Sequence, residues 1–129
     1  MDDAKHILLV DDDAEARGAC ALVVSSSHPG ARLVEVATAV DLVDALVLGG
    51  FEVVVLEPAV RWSSPGDLVD CISRHLPAAR LVIFTRDSDA SADTLAALPS
   101  VGGWVHKEGF GALMDLSQAL RTALRVEQD

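Results

Sequence analysis

The chain has 129 residues, half of them hydrophobic, with few aromatics and a formal net charge of −10. That length suits one ordinary domain with a real core, and the negative charge argues against non-specific binding of nucleic acid or an anionic membrane surface by this domain. The apolar runs are far too short to span a bilayer and no signal peptide opens the chain, so a cytoplasmic location is expected.

Ile7 to Val10 reads as a buried strand, four large aliphatics that stop abruptly at Asp11-Asp12-Asp13. Adjacent carboxylates repel and resist desolvation, so a cation or proton is expected to share that site. The plainer alternative is that Asp13 caps the next helix and the other two are solvated. That helix runs from about Ala14 to Ser25, with Ala16, Ala19, Cys20 and Val23 at helical spacing as its buried stripe. Ser26 to Gly30 is a loop, and Arg32 to Ala37 is a second strand. Thr38 caps a helix that ends near Leu48, before Gly49-Gly50.

Glu52 to Leu56 is the strongest strand signal, and it too runs into an acid, Glu57. A loop from Pro58 to Pro65 precedes a helix that opens at Gly66-Asp67 and ends near His75. Arg80 to Phe84 is a fourth buried strand, ending at Thr85. Asp87 to Asp89 leads into a short, weak helix that finishes before Pro99. Val101 to Val105 is a fifth strand, ending at His106-Lys107, and the last helix spans about Gly111 to Val126. Cys20 and Cys71 both fall in predicted helices without metal-ligand spacing; buried free thiols are expected, and a disulfide is not required.

Five alternations of strand and helix, with no repeat, imply right-handed crossovers and a parallel sheet covered on both faces. The expected architecture is α/β: a flavodoxin-like (βα)5 domain with strand order 2-1-3-4-5. In such sheets ligands bind beyond the carboxyl ends of the strands, near the switch in strand order. Asp11, Asp12, Glu57, Thr85 and Lys107 would share that edge. Carboxylates suit a hard cation such as Mg²⁺, and a hydroxyl with an ammonium suits phosphoryl oxygens.

With these motifs in this order, the whole chain resembles the receiver domain of bacterial two-component response regulators. The resemblance implies Mg²⁺ binding by Asp11 and Asp12, with the carbonyl of Ala59 as a third ligand, and phosphoryl contacts from Thr85 and Lys107. The run Gly103-Trp104-Val105-His106-Lys107-Glu108 looks most like regulators that carry a helix-turn-helix DNA-binding output domain. Where the family has its phospho-accepting Asp, this chain has Glu57. The extra methylene moves the carboxylate off the in-line geometry that phosphoryl transfer needs, so phosphorylation at Glu57 is not expected.

Two readings of that substitution stay open. Glu57 either mimics the phosphorylated state, holding Thr85 and Lys107, or fixes an inactive scaffold through a salt bridge to Lys107. The loop Val60 to Gly66 carries an apparent extra residue, and Glu108 stands where the family commonly has Pro. Trp104 occupies the position of the family's switching aromatic; the alternative is a half-buried anchor beside the last helix. Trp62 reads as an exposed contact residue, and His28, His75 and His106 as surface histidines.

The expectation is therefore an atypical receiver without enzymatic activity, with at most weak Mg²⁺ binding. It would act in signal transduction or transcriptional control by binding protein partners, or a second copy, through the face of the fourth helix, fifth strand and fifth helix. No output domain is expected within the chain, so any DNA-binding partner domain would belong to a longer protein. A haloacid-dehalogenase-like phosphatase using Asp11 as nucleophile and Asp13 as acid/base is the alternative, weakened by Ala14-Glu15 where that family has Gly-Thr. A flavodoxin-type flavin site is disfavoured because acids after the first strand would repel the flavin phosphate.

Overall fold

A computed structural model describes residues 4–86, 100–109 and 111–126. Five parallel strands, β1 (His6–Val10), β2 (Arg32–Val36), β3 (Val53–Leu56), β4 (Arg80–Thr85) and β5 (Val101–His106), form one sheet in the order β2-β1-β3-β4-β5. The described helices are α1 (Ala14–Ser27), α2 (Ala39–Leu48), α3 (Pro65–His75) and the terminal α4 (Ala112–Val126). The expected fourth helix, before Pro99, lies outside the described residues.

Strand alternation sorts the aliphatics into two cores. Leu8, Val10, Val54, Leu56, Leu81 and Ile83 pack on one face with Leu42 and Ala45 of α2 and Leu68, Val69 and Ile72 of α3. Ile7, Leu9, Val53, Val55, Val82, Phe84 and Val105 pack on the other with Cys20, Val23 and Val24 of α1 and Leu116, Leu120 and Leu124 of α4. Central strands buried on both faces explain the continuous apolar runs. Leu116 and Leu120 have no exposed surface, and truncating either to Ala costs about 2–5 kcal/mol.

The helix starts follow local chemistry. Asp13 caps α1, accepting the Glu15 N–H at 3.1 Å, and Thr38 caps α2 through the Asp41 N–H at 3.2 Å. Helix α3 begins one residue before the expected Gly66: Ser64 is its cap and Pro65 opens it, as Pro does at a first turn where its missing N–H is no loss. The β4–β5 register shifts between Leu81 and Val82, so Leu81 pairs with Val101 and Val82 with Gly103, leaving Gly102 as the extra residue. A Cβ at Gly103 would lie 3.3 Å from the Ala119 Cβ, so the bare backbone lets α4 approach β5 closely.

Four readings of single residues change. Trp104 is partly buried, but against the α2–α3 core rather than beside the last helix; in the resumed alternation Gly103 and Val105 face α4 and Trp104 faces away. Trp62 is not an exposed contact residue: its ring packs on the same core and its Nε1–H donates to the Ala37 carbonyl at 2.9 Å. His28 is half-buried, with an Nδ1 that is sequestered and unbonded. Cys20 is buried but Cys71 is partly exposed, and both are free thiols.

Candidate functional site

Backbone bonds that prolong the sheet past its strands deliver three side chains to one edge. The Asp11 N–H bonds the Val36 carbonyl at 3.0 Å, the Glu57 N–H bonds the Val10 carbonyl at 2.9 Å, and the Lys107 N–H bonds the Thr85 carbonyl at 2.8 Å. Each residue is thus held by its neighbouring strand, and its side chain has little freedom of placement. Asp11, Glu57 and Thr85 are buried, and they are the buried polar residues among those described.

Lys107 joins the two acids. Its Nζ donates to Asp11 Oδ2 at 2.6 Å and to Glu57 Oε1 at 3.0 Å, and the Lys107 side chain is only 4% exposed. The ammonium also lies 5.5 Å from the centroid of the Phe84 ring. The other carboxylate oxygens are satisfied by backbone: Asp11 Oδ1 accepts the Asp13 N–H at 2.9 Å, and Glu57 Oε2 accepts the Ala59 N–H at 3.2 Å. A buried ion cluster persists only when its remaining lone pairs are bonded in this way. Burial pushes the Asp11 carboxyl above the usual carboxylate range, against the pull of Lys107 and of the Asp13 N–H.

Asp12 turns the opposite way, toward the loop after β3. Its Oδ2 accepts the Arg61 backbone N–H at 2.7 Å and the Arg61 Nε–H at 3.2 Å. Partial burial raises the Asp12 carboxyl, but the bonds and charge of Arg61 outweigh it, so its net shift is downward. Asp13 keeps one oxygen on the helix cap while the other faces Arg86 at 3.6 Å. Arg61 is the site residue that the sequence did not point to. The signal available was neighbouring Trp62, whose indole N–H needs a partner when buried; its bond to Ala37 ties the loop down at the end of β2.

The oxygen donors are those a hard cation prefers, but their arrangement does not fit one as it stands. Asp11 and Glu57 share the Lys107 ammonium, Asp12 is bonded to Arg61, and among the described residues no group of three or more His, Cys, Asp or Glu is placed to hold a metal. A divalent ion between Asp11 and Asp12 would compete with the buried Lys107 for Asp11 and with the exposed Arg61 side chain for Asp12.

The sequence matches no protein-family model and no curated protein. Its fold is that of CheY-like response-regulator receiver domains. Among solved structures it is similar to a receiver domain protein from Methanospirillum hungatei (TM-score 0.83, 15% identity, 97% of each chain covered). It is also similar to the signal receiver domain of an HD domain-containing protein from Pseudomonas fluorescens (TM-score 0.82, 20% identity, 97% of this chain and 98% of that one). A third likeness is to the response regulator TrrA of Thermotoga maritima, solved in complex with Mg²⁺ and BeF (TM-score 0.71, 18% identity, 92% of this chain and 98% of that one). At these identities the likeness is one of fold. No helix among the described residues is long and apolar enough to cross a membrane.

Proposed function

We propose that this chain is a receiver module that signals by protein–protein interaction without accepting a phosphoryl group at position 57. The observation that carries this reading is the double pairing of Lys107 with Asp11 and Glu57. In a receiver, this ammonium is the group expected to meet phosphoryl oxygens, and here two buried carboxylates already hold it. A phosphoryl group on Glu57 would have to enter a closed ion cluster from a side chain one methylene too long for in-line attack.

The same cluster supports a state fixed by the protein's own charges. Glu57 supplies one negative charge to Lys107 where a phosphoryl group would supply nearly two. Mg²⁺ at Asp11, Asp12 and the Ala59 carbonyl is not required for this state, because each acid already has a cationic partner, Lys107 shared by Asp11 and Glu57 and Arg61 on Asp12. Partners would use the face that includes β5 and α4, where Met114 is exposed, and a DNA-binding output domain would belong to a longer protein in the cytoplasm. A similar structure, the OmpR/PhoB homologue DrrB of Thermotoga maritima, is longer; this chain covers 54% of it. The phosphatase alternative is disfavoured because Asp11 is tied to Lys107 and Asp13 to a helix cap, leaving neither placed as nucleophile or acid.

The test is intact-mass measurement after incubation with Mg²⁺ and acetyl phosphate, on the native chain and on Glu57→Asp side by side. The expected result is a phosphoryl adduct on the variant alone. An adduct on the native chain would overturn the proposal. If Glu57→Gln leaves oligomeric state and partner binding unchanged, the charge of Glu57 does not act as a phosphate mimic.

A further inference from the structure

Helix α2 has an apolar face that nothing among the described residues covers. Its sequence, Ala39–Leu48, is aliphatic all round except for Asp41 and Asp44. Helices of that kind are normally enclosed. Here Leu42 and Ala45 enter the core, while Val40, Val43, Val47 and Leu48 are 71%, 59%, 83% and 71% exposed. Val40, Val43 and Val47 follow the i, i+3, i+7 spacing, so they form one stripe along the helix rather than scattered contacts. β-branched valines also have lower helix propensity than the polar residues that usually cover a solvent face, so water alone does not account for them.

Beside the stripe lies a groove of about 290 Å³ between α2 and edge strand β2, lined by Val34, Glu35, Asp41, Asp44, Ala45 and Leu48. Its floor is apolar and its rim acidic. The Glu35 carboxylate lies 3.8 Å from Arg17, while the acids on the helix itself, Asp41 and Asp44, are exposed. An aliphatic stem with a cationic head matches this lining: the methylenes lie on Val34, Ala45 and Leu48 and the head meets the carboxylates.

We infer that the α2 face docks an amphipathic helix of a partner protein, apolar along one stripe and flanked by Arg or Lys on the side that meets the groove. A second copy of this chain fits poorly. The stripe is about 11 Å long and offers on the order of a few hundred Å², against roughly 800 Å² per partner for a stable interface. Each copy also carries a net charge of −10 and would set the same aspartates against each other. A basic helix laid along the stripe avoids that repulsion, its small contact area suits a weak peptide contact rather than a stable dimer, and helix-on-groove recognition uses this anchor spacing. The surface lies on β2 and α2, away from the Lys107 cluster, so it stands or falls independently of the reading of position 57.

The test is a titration of the ¹⁵N-labelled full chain with a synthetic peptide of about four helical turns, Leu at i, i+3, i+4 and i+7 and Arg on the flanks. A matched peptide with Glu in place of Arg serves as the control. Amide shifts are expected to cluster on α2 and β2. Val43→Ser with Val47→Ser, both at the surface, is expected to weaken binding tenfold or more while leaving the thermal midpoint within a few degrees. The Glu-flanked peptide is expected to bind at least tenfold more weakly. Shifts that miss α2, equal binding of both peptides, or concentration-dependent self-association that the Ser variant abolishes would each overturn the inference.

Discussion

Lys107 and Glu57 pair at 3.0 Å inside the carboxyl edge of the sheet, and both side chains are almost closed to solvent. The pair comes from residues fifty apart in sequence, each located by one backbone bond to a neighbouring strand. With Asp11 on the other side of the ammonium, the cluster holds two acids on one cation. Its integrity therefore depends on that cation more than on either acid alone.

Removing the cation is accordingly the costly change. Lys107→Met leaves Asp11 and Glu57 buried without a counter-charge and should destabilise the fold by about 3–5 kcal/mol at neutral pH, measured by denaturant unfolding. Adding Glu57→Gln to that variant should recover part of the loss by removing one of the stranded charges. Equal stability of the single and double variants would show that Glu57 is not a stranded buried charge once Lys107 is gone.

Metal response follows from the same counter-charges. Trp62 neighbours Arg61 and is pinned to Ala37, so its fluorescence should report any ion entering at Asp12. Millimolar Mg²⁺ should leave the native signal unchanged, because the ion must compete with Arg61 and Lys107. Arg61→Ala should gain a response, since it frees one side of Asp12 while retaining the backbone bond. A native response at submillimolar Mg²⁺ would show that the pairing of Asp11 with Lys107 and of Asp12 with Arg61 does not hold the ion out.

The two thiols should differ in reactivity. Cys20 is fully buried, and burial, reinforced by Asp11 and Glu35, pushes its thiol up to about 12. Cys71 is partly exposed, with its sulfur 3.8 Å from His75 Nδ1. Brief treatment of the folded chain with N-ethylmaleimide should therefore add a single adduct, at Cys71, and unfolding should expose the second.

Acid should weaken the fold through His28. Burial, and then the Arg121 charge, hold its imidazolium form back, so the folded protein binds this proton less readily than the unfolded chain. The resulting contribution is present above the ordinary histidine value of 6.5 and lost as pH falls through it and on toward the lower folded value. Denaturant midpoints at pH 7.5 and 5.5 should therefore diverge more for the native chain than for His28→Gln. A native chain no more acid-sensitive than the variant would remove His28 as a source of the effect.

The order of elements was legible in the sequence because each rests on local signals. Ile7 to Val10 and Val53 to Leu56 are buried on both faces and so read as unbroken apolar runs, while Asp13 and Thr38 satisfy helix N–H groups within three residues of themselves. Asp11, Glu57, Thr85 and Lys107 were legible for a related reason: a parallel sheet brings its carboxyl ends to one edge whatever the loops do. Tertiary structure alone decided which charge faces which. That Asp12 turns to Arg61 while Asp11 turns to Lys107 depends on a loop anchored by Trp62 on Ala37, a contact between residues twenty-five apart. The side on which Trp104 packs depends on one extra residue at Gly102, because a period of two reverses every later side chain when a strand gains a residue. The aliphatic stripe of α2 was visible as composition, but its exposure was not, since only the packing of Leu42 and Ala45 into the core determines which of its apolar faces is left outside.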